Sequence, residues 1–94
     1  MLADGLPHVK IYTTRTCGYC RAAVKLLQDK GVRFENIDIS LNNALREEMM
    51  RLSGRRTVPQ VFIDDQSLGG YDDIAALNTN GELNSLLGLS PDTK

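Results

Sequence analysis

The stretch Thr16-Cys17-Gly18-Tyr19-Cys20-Arg21 decides how this chain folds. It holds both cysteines, separated by two residues, between an apolar β-like run and an amphipathic helical one. Before it, His8 to Thr13 alternates with the β-branched and aromatic residues Val9, Ile11 and Tyr12, as a strand does. After it, Cys20, Ala23, Val24 and Leu27 share one helical face, while Arg21, Lys25 and Asp29 fall elsewhere. Lys30-Gly31 supplies a basic last turn and a glycine stop. Val32 to Ile39 is a second strand candidate. Two strands joined by one helix of this length predict a parallel pair with a right-handed crossover, a βαβ unit.

Further along, Ser40 is expected to cap a helix in which Leu41, Leu45, Met49 and Leu52 recur at helical spacing until Ser53-Gly54 ends it. The methionines read as core filling. Beyond Thr57-Val58-Pro59, the runs Gln60 to Ile63 and Gln66 to Leu68 flank Asp64-Asp65, which predicts a tight hairpin. Gly69-Gly70 breaks that pattern, and a helix follows over Tyr71 to Leu77 with Ile74 and Leu77 inward. Leu83, Leu86 and Leu87 make a last helical turn or two. Met1 to Leu6 and Ser90 to Lys94 read as ragged ends. The order β-α-β-α-β-β-α predicts an α/β fold, a four-stranded mixed sheet flanked by helices.

With 94 residues the chain fits one domain, 1–94, with a core at about 8–88. A hydrophobic share of 41% with 24% charged residues is that of a soluble globular protein. A net charge of −1 argues against nucleic acid as a partner, although Arg51, Arg55 and Arg56 form a local basic cluster. That cluster reads equally as a solvated helix end or as a functional patch. The first residues lack the charged start and apolar run of a signal peptide, and no apolar stretch reaches the ~20 residues of a membrane span. The expected location is cytoplasmic. In that reducing compartment a Cys-x-x-Cys beside a βαβ pattern reads as redox-active and not as a structural staple. Intrachain zinc is disfavoured, because beyond the cysteine pair the chain offers only His8 as a further His or Cys ligand.

The two thiols are chemically unequal. Cys17 precedes the first helical turn, where the N–H groups of Tyr19 and Cys20 are expected to point at it and Arg15 is near; each favours the thiolate. Cys20 lies one turn inside, on the apolar face, where burial holds it as a thiol. A sulfur so stabilised gains most as a leaving group, when a second thiol resolves a mixed disulfide formed on it. Cys17 is the expected nucleophile and Cys20 the resolving thiol.

Three motifs together, Thr16-Cys17-Gly18-Tyr19-Cys20, Thr57-Val58-Pro59-Gln60 and Gly69-Gly70-Tyr71-Asp72-Asp73, make the chain resemble the glutaredoxins of the thioredoxin superfamily, the bacterial dithiol type in particular. The likeness runs from about Val9 to Leu87. It implies a thioredoxin-like fold and a glutathione-dependent thiol-disulfide oxidoreductase acting on glutathionylated and disulfide-bonded proteins. It further implies a cis bond before Pro59, with the Val58 backbone free to pair with the cysteinyl part of glutathione as an added strand. Otherwise Pro59 simply opens the third strand. The N–H groups of Tyr71 and Asp72 after Gly70, with the Asp72 carboxylate, suit the zwitterionic γ-glutamyl head, and N-capping by Asp72 or Asp73 can coexist with that role.

Arg46 falls where the family carries a cation or amide for the glycine carboxylate; it can equally be a solvated residue of the second helix. Arg15, Tyr19 and Thr57 complete the implied glutathione site. Two departures stand out. Thr14 replaces the family's usual lysine, so that either Arg15 takes over that charge or the thiolate is less stabilised than usual, and Gly18 replaces the commoner proline between the cysteines. Some glutaredoxins lacking that proline assemble a [2Fe-2S] cluster between two protomers through the first cysteine. The resemblance thus leaves open a monomeric enzyme, or a cluster carrier or sensor dimer with Cys17 as ligand. A thioredoxin-type general reductase is disfavoured by the absence of tryptophan.

Overall fold

The structure, a computed structural model, describes residues 7–89. The expected ragged ends, Met1 to Leu6 and Ser90 to Lys94, lie outside these residues. The elements are β1 (Val9–Thr13), α1 (Gly18–Asp29), β2 (Glu35–Asp38), α2 (Asn43–Ser53), β3 (Gln60–Ile63), β4 (Gln66–Gly69), α3 (Tyr71–Thr79) and α4 (Glu82–Leu86). The sheet order is β2-β1-β3-β4, with β1 parallel to β2 and antiparallel to β3, and β3 antiparallel to β4. This is the four-stranded mixed sheet that the order of elements predicts.

The two central strands are buried on both faces, which is why they read as nearly continuous apolar runs. Alternation sends Val9, Ile11, Val61 and Ile63 into one cluster with Ala23 and Leu27 of α1, Ile74 of α3 and Leu83 of α4. It sends Tyr12 and Phe62 to the opposite face, where they pack edge to face with ring centroids 5.5 Å apart and meet Ile39 and Met49. Three helices therefore cover one face and α2 the other. The Tyr12 hydroxyl donates to Glu48 Oε2 at 3.1 Å, and burial first, then Glu48, pushes it up to about 12.

The turns follow from residue chemistry. Asp64 and Asp65 both adopt left-handed backbone, φ 50° and 68°, as a two-residue hairpin between β3 and β4 requires. Helix α2 departs from expectation at its start. Asn42, not Ser40, is its cap: the Asn42 side chain accepts from Leu45 N–H at 2.9 Å, while Ser40 Oγ accepts from Arg15 N–H. Leu41 thus precedes the cap and is 85% exposed, and the buried stripe of α2 runs instead through Met49, with Leu45 and Met50 beside it; Leu52 in the last turn is 46% exposed. The second strand is also shorter than Val32 to Ile39. Its pairing with β1 runs from Lys10↔Glu35 to Thr13↔Asp38, so Val32 to Phe34 and Ile39 lie outside the strand. As an edge strand, β2 leaves most of its side chains in solvent.

Candidate active site

Cys17 is the N-cap of α1. Its backbone is extended, φ −95° and ψ 114°, and its sulfur occupies the place that a serine or aspartate oxygen fills in other helices. Of the two N–H groups expected at this sulfur, that of Cys20, the third helical residue, reaches it, at 3.1 Å. The Cys17 thiol in turn donates to the Val58 carbonyl oxygen at 3.8 Å, which ties the cysteine pair to the Thr-Val-Pro turn. Both cysteines are free thiols. Cys17 is half-buried, whereas Cys20 is 2% exposed and its thiol is pushed up to about 12, by burial first and then by its hydrogen bond with Cys17, against a Thr14 backbone contact that pulls the other way. The chemical inequality of the two thiols is therefore built into the helix start.

The Val58–Pro59 bond is cis, as the family resemblance implies. Gln60 is fully buried and its Nε2 donates to the Thr57 carbonyl at 3.0 Å, bracing the segment from behind. Beside it a cavity of about 230 Å³ is lined by Tyr19, Arg55, Thr57, Val58, Pro59, Gly70, Tyr71, Asp72 and Asp73. The rings of Tyr19 and Tyr71 stack 6.1 Å apart to make part of its wall.

The floor at the α3 end is a glycine turn. Gly69 has φ 97°, and a Cβ there would run into the Asp73 carboxyl; a Cβ on Gly70 would lie 3.2 Å from the Pro59 carbonyl oxygen. Asp73 reaches back three residues to accept the Gly70 N–H at 2.9 Å, with Gly70 as the helix cap. The same oxygen, Oδ2, accepts from Arg55 Nη1 at 2.8 Å. The Gly70 N–H, then Arg55, hold this carboxyl below its usual range. Tyr71 and Asp72 stand in the first helical turn, where backbone N–H groups have no partner within the helix.

Of the residues singled out from sequence, Tyr19, Thr57, Val58, Pro59, Gly70, Tyr71 and Asp72 come together around this cavity, with Cys17 at the Val58 edge. Arg15 and Arg46 do not line it. The Arg15 Nε donates to Asp38 Oδ2 at 3.0 Å at the end of β2, so its charge is engaged there instead of at the thiol. Arg46 is half-buried in the first turn of α2, its N–H on the Asn42 carbonyl. Arg55 and Asp73 line the cavity without having been assigned to it. Asp73 carries a signal in its capping spacing from Gly70, whereas Arg55 reads from sequence only as one of a basic cluster. A larger cavity of about 500 Å³, lined by residues such as Val9, Phe34 and Leu87, has none of the three motifs' site residues in its lining, whereas the smaller one is lined by seven of them and meets Cys17 through Val58, so the chemistry belongs to the smaller one.

Comparison with known proteins agrees with this arrangement. The sequence model of the family described as glutaredoxin matches residues 9–68. Glutaredoxin 3 of Escherichia coli (strain K12) is 52% identical over 82 residues, which are 87% of this chain and 99% of that protein. The solution structure of a Brucella melitensis glutaredoxin superposes with a TM-score of 0.79 at 46% identity, covering 89% of this chain and 91% of the other. A buckwheat glutaredoxin, solved as a complex with glutathione, gives a TM-score of 0.81 at 28% identity over 87% of this chain and 77% of its own. With the family's model spanning both the thiol pair and the proline turn, and with this identity across nearly the whole of a curated relative, the chain belongs to the glutaredoxin family of glutathione-dependent thiol-disulfide oxidoreductases.

Proposed function

We propose that the chain acts as a single domain, its core at about residues 8–88, which reduces glutathione mixed disulfides and protein disulfides through Cys17. The observation that carries this reading is the sulfur of Cys17, half-exposed, held by the Cys20 N–H at 3.1 Å and set against the Val58 carbonyl at the mouth of the cavity. The Cys17 thiolate attacks the glutathione sulfur of a glutathionylated protein. The Cys17–glutathione disulfide forms, the old S–S bond breaks, and the protein thiolate leaves and takes a proton. A second glutathione thiolate then attacks the glutathione sulfur, releasing glutathione disulfide and the Cys17 thiolate. Alternatively Cys20, after losing its proton, attacks Cys17; glutathione leaves, and two further glutathione molecules reduce the Cys17–Cys20 disulfide. With a protein disulfide, Cys17 attacks one sulfur and Cys20 resolves the mixed disulfide.

Glutathione is oriented by its cysteinyl backbone pairing with Val58, its γ-glutamyl carboxylate on the Tyr71 and Asp72 N–H groups, and its ammonium on the Asp72 carboxylate. Pro59, Thr57, Gly70 and the Tyr19 ring shape the slot. Arg46 is assigned to the glycine carboxylate by family resemblance. Arg15 is assigned to the glutathione site by family resemblance, its charge standing in for the lysine that Thr14 replaces. The buckwheat relative's complex with glutathione supports this ligand. The reading takes the chain as a cytoplasmic monomer whose partners are glutathione and disulfide-bearing proteins, with no nucleic acid or membrane among them. The test is turnover of a glutathione mixed disulfide: Cys17→Ser is expected to lose at least a thousandfold, and full activity in that variant would overturn the mechanism.

A second reading draws on Gly18, which stands where the family more often has a proline and where a Cβ would meet nothing within 4 Å. Among the described residues no three His, Cys, Asp or Glu side chains stand together as a metal site. A [2Fe-2S] cluster would therefore take Cys17 from each of two copies and its remaining sulfurs from glutathione; bound there, it would supply one-electron chemistry. Anaerobic reconstitution with iron, sulfide and glutathione tests this, and a colourless monomer refutes it.

A further inference from the structure

The turn assigned to the γ-glutamyl carboxylate presents an electrostatic difficulty. Its donors, the Tyr71 and Asp72 N–H groups, are followed at once by two carboxylates, Asp72 and Asp73. Asp72 is exposed and is matched by the ammonium of the same ligand head. Asp73 has no such match in the ligand. Its carboxylate is bound to the Gly70 N–H at 2.9 Å and packs against Gly69, so it can neither swing away nor be replaced by a longer side chain without loss of the turn. An incoming carboxylate would thus meet a fixed like charge within the same helical turn.

Arg55 answers that charge. Its Nη1 lies 2.8 Å from the Asp73 oxygen that caps Gly70. The arginine is itself held in place: after the α2 stop at Gly54, the Ser53 hydroxyl accepts from the Arg55 N–H at 3.0 Å and donates to the Arg55 carbonyl at 3.1 Å. Arg55 therefore links the segment before Pro59 to the glycine turn, the two walls between which the ligand is bound. We propose that Arg55 is a positioning residue for glutathione, neutralising Asp73 so that the Gly70-Tyr71-Asp72 turn accepts the γ-glutamyl α-carboxylate. The proposal rests on the assignment of that carboxylate to the turn, and it adds the residue that makes an acidic helix start usable as an anion site.

The experiment compares two substrates, a glutathione mixed disulfide and the same disulfide built on γ-aminobutyryl-cysteinyl-glycine, which lacks only the α-carboxylate. A fixed like charge within one helical turn, at an exposed site screened by water and salt, is worth about tenfold in binding. Arg55→Ala is accordingly expected to raise KM for the glutathione substrate about tenfold with kcat nearly unchanged, to leave KM for the analogue within about twofold, and to recover in part as salt is raised. Arg55→Lys should keep most of the preference. Asp73→Asn placed in the Arg55→Ala background retains an acceptor for Gly70 without the charge, and should return KM to within about threefold of wild type. If the double variant is no better than Arg55→Ala, or if Arg55→Ala discriminates between the substrates as wild type does, the role of Arg55 is refuted while the carboxylate site stands. If wild type itself does not distinguish the two substrates, the assignment of the carboxylate to the turn falls, and this proposal with it.

Discussion

Replacing Cys20 by serine separates the two routes by which Cys17 is released. Burial, the larger cause, still acts once Cys17 is in a mixed disulfide and pushes the Cys20 thiol up towards about 12. At pH 7 that leaves ~1 thiol in 10⁵ ionised, against ~1 in 30 for a thiol at the reference value of ~8.5. The higher basicity returns ~25- to 55-fold in intrinsic nucleophilicity, so each encounter by Cys20 remains roughly a hundredfold slower than one by an ordinary thiol. Proximity offsets that deficit, while millimolar glutathione competes from solution. Cys20→Ser is therefore expected to reduce a glutathione mixed disulfide at pH 7 within about threefold of wild type, and to lose more than a hundredfold on a protein disulfide, whose mixed disulfide needs an internal thiol. Between pH 7 and 9 the Cys20 thiolate rises ~100-fold and that of glutathione only ~25-fold, so the intramolecular share grows about fourfold. Steady-state rates coupled to glutathione reductase, read at both pH values, test this. A loss above tenfold on the mixed disulfide at pH 7 would refute the reasoning, as would a ratio of wild type to variant that does not move with pH.

Two further predictions concern the scaffold. Asn42→Ala removes the side-chain acceptor for Leu45 N–H and should cost ~1 kcal/mol, seen as a Tm lower by about 4–8 °C with mixed-disulfide turnover unchanged; an unaltered Tm would contradict the cap. The Asp38 carboxyl is lowered to about 2 by the Ser40 N–H and hydroxyl first and then by Arg15. A carboxyl depressed by folding contributes stability that is present above its unfolded value of ~3.9 and is lost as pH falls through its folded one. Acid unfolding followed by circular dichroism should therefore be less steep in Asp38→Asn between pH ~4 and ~2, and parallel curves would refute the contribution.

How much of this was legible in the chain depended on whether the deciding partner lay nearby in sequence. The βαβ start, the left-handed Asp64-Asp65 turn and the burial of Cys20 are local: periodicity and turn chemistry within a dozen residues suffice to read them. The start of α2 differs from the expectation because Ser40 and Asn42 are both good caps, and the Ser40 hydroxyl is engaged by the Arg15 N–H from 25 residues away. The same distance hid the fate of the Arg15 side chain, since Asp38 reaches it only once β2 lies beside β1. At the site, motif residues identified the walls of the cavity, but Arg55 and Asp73 acquire a role only through each other, 18 positions apart.

The outer strand β2 has one more consequence, for how copies of this protein meet. An unpaired strand edge invites a neighbouring chain to extend the sheet. This one is four residues long and places Glu35 and Asp38 in solvent, with an asparagine between them. Two such edges brought together would oppose acid to acid along a ladder too short to hold them. At high protein concentration β2 therefore acts as a guarded border.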